Sequence, residues 1–104
     1  MAEENDDIKK IVRHFLEEVR KKYSIVGAYL YGSFAKGTSN KWSDIDVAII
    51  SPDFTDDLFE ERLNLMKLAA SIDDRIEAKP FKKDFFDPND PLVDEIQKSG
   101  IQLL

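Results

Sequence analysis

Two aspartates separated by one residue, Asp44 and Asp46, lie in the segment SDIDVAII. On a β-strand the side chains alternate between the two faces, so both carboxylates would point to one side and Ile45 and Val47 to the other. At a rise of about 3.3 Å per residue, the two aspartate Cα atoms would lie about 6.5 Å apart. Carboxylates at this separation can converge on hard divalent cations, which prefer oxygen ligands. The spacing therefore predicts a cation-binding strand.

A glycine and a serine, Gly32 and Ser33, directly follow the hydrophobic segment that precedes this strand. A glycine there permits a sharp turn and lets backbone N–H groups approach a phosphate closely. A phosphate-binding turn joined by a short loop to a pair of carboxylates indicates chemistry on a nucleoside triphosphate.

The same residues carry a family resemblance. Gly32-Ser33 is followed, after ten residues, by Asp44-Ile45-Asp46, a pattern similar to the signature of the DNA polymerase β-like nucleotidyltransferases. The segments GSFAKG and SDIDVAI look most like the minimal prokaryotic branch, the MNT domains. Lys36 stands where an arginine is common in that family, a change that keeps the charge but loses the bidentate fork. The resemblance covers nearly the whole chain and implies a single minimal nucleotidyltransferase domain, residues 1–104.

The resemblance implies a two-metal enzyme that transfers a nucleoside monophosphate, AMP from ATP in the first instance, to a hydroxyl group and releases pyrophosphate. By resemblance, catalysis and metal binding fall to Asp44, Asp46 and Glu77, and nucleotide binding falls to Gly32, Ser33, Lys36 and Ser43. Two Mg²⁺ ions are the expected cofactors, because Mg²⁺ accepts a few carboxylates together with substrate phosphates and water.

Two residues compete for the place of the third carboxylate that the family carries on a neighbouring strand. If residues 75–79 form that strand, Glu77 shares a face with the aspartates while Ile76 points into the core. Asp74 would lie at the junction before the strand, where acidic residues are ordinary turn residues. The pattern favours Glu77, with Asp74 as the alternative. Three carboxylates on one face also predict that one of them has a raised pKa when no cation is bound.

The acceptor is the part of the function that the residues leave open. Larger members of the family carry a further domain for the acceptor, and 104 residues leave no room for one, so a second chain is expected to present it. Minimal members often pair with small helical HEPN proteins in toxin–antitoxin modules, where the nucleotidyltransferase is the antitoxin and in some systems attaches AMP to a tyrosine of its partner. The alternatives are a non-catalytic binding module with a vestigial nucleotide site and a small-molecule, aminoglycoside-type nucleotidyltransferase. Base preference and homo-oligomerisation also stay open.

Composition limits the class of protein. A net charge of −6 argues against a nucleic-acid-binding surface, which is typically basic. The absence of cysteine excludes disulfides and thiolate metal sites. The acidic N-terminal segment is unlike a signal peptide, and no apolar run approaches the roughly 18 residues of a membrane span. We therefore expect a cytoplasmic protein.

The hydrophobic periodicity predicts an α/β (α+β) fold, a mixed sheet of three to five strands with helices on one side. The predicted helices cover 6–23, a single turn at 33–36, 55–71 with Thr55 as N-cap, and a last helix with Asp90 as N-cap, Pro91 first and Gly100 as its end. The predicted strands cover 24–31, 44–51, 75–79, ended by Pro80, and 101–104.

Two further expectations concern side chains. Phe59, Leu63, Met66 and Ala70 recur at offsets of 4, 7 and 11, which predicts that they form the buried face of their helix. In the polar loop before the aspartates, Lys41 could meet a phosphate, and Trp42 could stack on a base or, as the favoured reading, cover an edge of the core.

Overall fold

The computed structural model describes residues 2–40 and 42–104. Four helices and four strands follow the order α1 Ala2–Arg20, β1 Gly27–Tyr31, α2 Ser33–Lys36, β2 Ile45–Ser51, α3 Leu58–Ala70, β3 Ile76–Lys82, α4 Pro91–Ser99 and β4 Ile101–Gln102, with a 3-10 turn at Lys83–Phe85. Within these residues, no helix combines the length and the apolar character that crossing a membrane requires.

The four strands form one mixed sheet in the order β3-β2-β1-β4. β1 pairs antiparallel with both β2 and β4, whereas β2 and β3 are parallel. The predicted α/β class with a mixed sheet of three to five strands is confirmed. The parallel pair needs a crossover connection, and α3 supplies it.

Helices cover both faces of the sheet, so the expectation of helices on one side is wrong. α1 and α3 pack on the face that carries Ile45, Val47 and Ile49. α4 packs on the opposite face, where Val93 and Ile96 contact the cluster around Ala48 and Ile50. The physical reason is in β2 itself: from Val47 to Ser51 every residue is buried, and a continuous apolar strand requires cover on both sides.

α3 presents a different face to the core from the one predicted. Its buried residues are Glu61, Leu65 and Ala69, whereas Phe59 is 73% exposed and Met66 is 49% exposed. The helix is apolar on two faces, so its periodicity alone could not select the correct one. Its N-cap is Asp57 rather than Thr55, because the Asp57 side chain accepts a hydrogen bond from the Glu60 N–H.

Local signals at other element ends were more reliable, with one exception. The Asp90 side chain caps α4, Pro91 opens that helix and Gly100 ends it, as predicted. β3 instead continues through Pro80 to Lys82. Proline is tolerated there because β3 is an edge strand, on which a missing N–H donor costs no ladder hydrogen bond.

Candidate active site

The turn after β1 is shaped by Gly32. This residue has φ 74°, a conformation that L side chains rarely adopt. A Cβ atom on it would come within 2.2 Å of Asp46 Oδ2. Gly32 is therefore required both by the turn and by the close approach of the carboxylate on β2. The chain then enters the single turn of α2, where the Lys36 N–H donates to the Gly32 carbonyl at 3.1 Å, so the predicted helical turn at 33–36 is confirmed.

Three neighbouring strands bring polar side chains to one face of the sheet. The register pairs Tyr31 with Asp46 and Asp46 with Glu77, while Ile45 and Ile76 enter the core on the other face. The predicted strand pairing and facing are thus confirmed. An open cleft of about 370 Å³ lies over this face, lined by Tyr31, Asp44, Asp46, Arg62, Glu77, Ala78 and Lys79.

The cleft is electrostatically negative around Asp46. Burial raises the pKa of Asp46, and the charges of Asp44 and Glu77 raise it further. This agrees with the predicted raised pKa among the three carboxylates, although burial contributes more than repulsion. Burial and the charge of Asp46 likewise raise the pKa of Tyr31 to about 12, whereas Arg62 lowers it. The negative charges around Asp46 favour the binding of a cation there.

Arg62 is a residue of the cleft that sequence reasoning missed. Its Nη2 atom lies 3.4 Å from Glu77 Oε2, and both side chains are about half exposed. No motif or helical period marks Arg62, because its contact with Glu77 joins α3 to β3 across 15 residues. A basic residue at this point of the helix is the only signal that the sequence carries for it.

The donor set of the cleft fits a hard divalent cation. Asp44, Asp46 and Glu77 offer carboxylate oxygens alone, the ligands that Mg²⁺ prefers. Nevertheless, across residues 2–40 and 42–104 no three acidic or histidine side chains are close enough together to hold a metal ion. Glu77 instead pairs with Arg62, so it would have to reorient to join the two aspartates around a cation.

The other residues implicated by the sequence lie around the turn and its loop. Lys36 Nζ pairs with Glu95 Oε1 of α4 at 2.6 Å. Ser33 begins α2 and is half-buried, and Ser43 accepts a hydrogen bond from the Asn40 N–H through its Oγ at 2.9 Å, which closes the loop. Lys41 lies outside the described residues.

Two expectations about neighbouring side chains have different outcomes. Trp42 is 80% exposed, so the favoured reading, that it covers an edge of the core, is wrong. Asp74 is exposed at the junction before β3, and the lining of the carboxylate cleft includes Glu77 and omits Asp74.

Comparison with known proteins agrees with this architecture. A family model described as a nucleotidyltransferase domain matches residues 12–101. The chain therefore belongs to the nucleotidyltransferase domain family, in agreement with the resemblance of its sequence motif.

A curated relative gives a narrower comparison. The chain is similar to the protein adenylyltransferase MntA of Shewanella oneidensis, with 32% identity over 68 residues. The matched segment is 65% of this chain and spans 46% of the length of that relative.

Solved structures share the fold. A proposed nucleotidyltransferase from Sulfolobus solfataricus superposes with a TM-score of 0.68 over 97% of this chain and 83% of its own, at 18% identity. A toxin–antitoxin complex solved with AMP-PNP contains a chain with TM-score 0.66 and 26% identity, covering 92% of this chain and 72% of that one. A variant of the toxin–antitoxin complex MntA–HpeT gives TM-score 0.63 and 26% identity, covering 88% and 70%.

Proposed function

We propose that this protein transfers AMP from ATP to a hydroxyl group of a partner protein, with pyrophosphate as the leaving group. In this proposal residues 1–104 act as one minimal domain, and a second chain presents the acceptor. The acceptor is a tyrosine of a small helical, HEPN-type toxin, so that the protein acts as an antitoxin. Support comes from the similarity to an adenylyltransferase and to chains of toxin–antitoxin complexes, one of them solved with AMP-PNP.

The observation that carries the proposal is the convergence of two features at one sheet edge. Asp46 and Glu77 are neighbours in the parallel register of β2 and β3, and the Gly32 turn lies against Asp46. A triphosphate on the turn would therefore have its α-phosphate next to the carboxylates. Proximity of this kind lowers the barrier by holding the reacting groups in line.

Each residue has a part in that chemistry. The backbone N–H groups after Gly32 and the Ser33 hydroxyl hold the β- and γ-phosphates, and Lys36 offers a further charge once it leaves Glu95. Ser43 holds the loop that leads into β2. Asp44 and Asp46 would hold two Mg²⁺ ions, and Glu77 the one on the acceptor side. When bound, the ions offset charge on the transferring phosphate and lower the pKa of the acceptor hydroxyl.

The bond changes define what an assay must detect. The acceptor oxygen forms a bond to the α-phosphorus, the bond from that phosphorus to the oxygen bridging to the β-phosphate breaks, and the hydroxyl proton is released to solvent. Label therefore reaches the acceptor from ATP radiolabelled at the α-phosphate and stays behind from ATP labelled at the γ-phosphate. This pair of labels separates adenylylation from phosphorylation.

The decisive experiment incubates the purified protein with Mg²⁺, each labelled ATP and the protein encoded beside it in its genome. We expect α-label on a tyrosine of that partner and loss of transfer on the order of 10³-fold in Asp46→Asn, since a carboxylate that holds both ions is gone. Absence of label with AMP-PNP binding retained would indicate the non-catalytic module. Label on an aminoglycoside rather than on the protein would indicate the small-molecule alternative.

A further inference from the structure

The carboxylate cleft contains its own cation. Arg62 reaches from α3 to Glu77 on β3, 15 residues further along the chain, with Nη2 3.4 Å from Oε2. The guanidinium also lies within electrostatic range of Tyr31 on the far strand of the cleft, whose pKa it lowers. Arg62 is therefore one of the residues that line the candidate site.

Among the three carboxylates of the cleft, Arg62 forms its ion pair with Glu77. Glu77 has the ion pair, whereas the influences on the pKa of Asp46 are burial and the negative charges of Asp44 and Glu77, all of which raise it. Lys79 also lines the cleft, but its ammonium lies 5.9 Å from the centre of the Phe81 ring. Glu77 therefore has a cationic partner inside the cleft, although its charge still acts on Asp46.

We propose that Arg62 is a built-in counter-ion that competes with a divalent cation for Glu77 and so limits how tightly the cleft binds that cation. This inference rests on the proposed function, because it assumes that Glu77 belongs to the cation site. With Arg62 in place, Glu77 is drawn towards α3. A cation held by the aspartates must displace the guanidinium before it can gain the third ligand.

The geometry makes such an exchange feasible. The N–O distance of 3.4 Å is long for an ion pair, and the two side chains are 53% and 47% exposed. Exposed ion pairs of this kind contribute little net stabilisation, so a divalent charge at the aspartates can outcompete Arg62. The exchange also leaves Arg62 free at the edge of the cleft, where no other described contact holds it in place.

The test measures cation binding without any turnover. Mn²⁺ is titrated into the nucleotide-free protein, and the free ion is followed by its electron paramagnetic resonance signal. We expect Arg62→Gln to bind Mn²⁺ about three- to tenfold more tightly, because the guanidinium no longer competes for Glu77. Arg62→Lys should remain close to wild type.

A matched control and a double variant make the result specific. Lys67→Gln removes the same charge from the same helix, at an exposed position that is absent from the lining of the cleft, and should change the affinity less than twofold. Arg62→Gln combined with Glu77→Gln should bind no more tightly than Glu77→Gln alone. Unchanged or weaker binding in Arg62→Gln would overturn the inference, as would a gain that persists without Glu77.

The outcome separates this inference from the proposed function. If wild-type protein and Arg62→Gln both fail to bind Mn²⁺ without nucleotide, the role of Arg62 is wrong, and the radiolabel assay decides the proposed function separately. If AMP transfer is observed but Arg62→Gln leaves Mn²⁺ affinity unchanged, the function stands and only the counter-ion role is wrong.

Discussion

Glu61 and Asp46 are both withdrawn from solvent, and their surroundings act on them in opposite ways. Glu61 on α3 is 5% exposed; its Oε1 accepts from the Tyr23 hydroxyl at 2.8 Å and its Oε2 from the Thr55 N–H at 2.8 Å. Burial would raise the pKa of Glu61, but these hydrogen bonds, with one from Asn64, outweigh it and lower the pKa. Around Asp46 burial and neighbouring charges all raise the pKa.

The opposite pKa shifts of Glu61 and Asp46 indicate different roles for the two carboxylates. A carboxylate that receives several hydrogen bonds is stabilised in its charged form and holds the structure together. Glu61 does this by joining the segment after α1, the segment before α3 and α3 itself. A carboxylate held against other carboxylates destabilises the folded protein unless a cation arrives, which is typical of a binding or catalytic site.

The largest expected effect is on the transfer step, when Glu77 of the cleft is substituted. Glu77→Gln should slow the transfer step by orders of magnitude while leaving the affinity for Mg-nucleotide nearly intact, because Asp44 and Asp46 still hold the ion on the triphosphate. Single-turnover transfer and a nucleotide titration separate the two quantities. Asp74→Asn is the matched control and should transfer at the wild-type rate; a slow Asp74→Asn with a normal Glu77→Gln would make Asp74 the third carboxylate.

Stability should distinguish the two carboxylates directly. Glu61→Gln should lose about 1–3 kcal/mol of unfolding free energy at pH 7, because the amide places a donor against the Thr55 N–H or the Tyr23 hydroxyl. Asp46→Asn should melt at or above the wild-type temperature, because a repelled charge is removed. Thermal melts of the two variants check this, and a clear loss of stability in Asp46→Asn would make Asp46 a paired structural residue.

The stability effects of Glu61→Gln and Asp46→Asn should also depend on pH with opposite signs. The folded-state pKa of Glu61 is below its ordinary 4.5, so its stabilisation is present above that value and lost as the pH falls through the folded pKa. The folded-state pKa of Asp46 is above its ordinary 3.8. The charged Asp46 therefore destabilises the folded protein increasingly as the pH rises from the ordinary pKa to the folded-state pKa. At a pH below the folded and unfolded pKa values of both groups, the two variants should approach wild type; a stability gain in Asp46→Asn that persists there would contradict the electrostatic explanation.

The close approach of Asp46 to the turn gives a smaller, separable effect. Gly32 and Gly37 have nearly the same φ, 74° and 76°, but a Cβ on Gly37 would meet nothing within 4 Å. Gly37→Ala should therefore cost only the left-handed strain of about 1–2 kcal/mol. Gly32→Ala should cost roughly 1–3 kcal/mol more, since Gly32 has ψ −149°, in a region that only glycine adopts readily, and Asp46 must also move. Denaturant melts compare the two, and equal losses would show that Asp46 does not hold the turn.

The smallest effect concerns the pair between Lys36 and Glu95. Both side chains are about half exposed, so the pair contributes at most about 1 kcal/mol and competes only weakly with a phosphate. Glu95→Gln should lower the dissociation constant for Mg-AMP-PNP by about two- to threefold, and Lys36→Ala should raise it. Calorimetric titrations check both; an unchanged constant in Lys36→Ala would leave Lys36 as a structural link to α4.

Much of the site was determined by the sequence alone, because it depends on local geometry. Strand alternation predicts that Asp44 and Asp46 share a face, and both line the cleft although β2 begins only at Ile45. The register that buries Ile76 places Glu77 beside Asp46. The turn at Gly32 and the cap and stop of α4 follow from single residue types whose backbone preferences are strong. The family motif lies within this locally determined part.

The relative orientation of the helices and the sheet was determined only by tertiary packing. α3 carries apolar residues on two faces, and the sheet selected the face with Leu65 and Ala69. The same choice brought Arg62 to Glu77 across 15 residues, and the placement of α4 on the second face brought Glu95 to Lys36 across 59. Such pairings depend on which surfaces meet when the core closes, and no local preference or period in the chain encodes them.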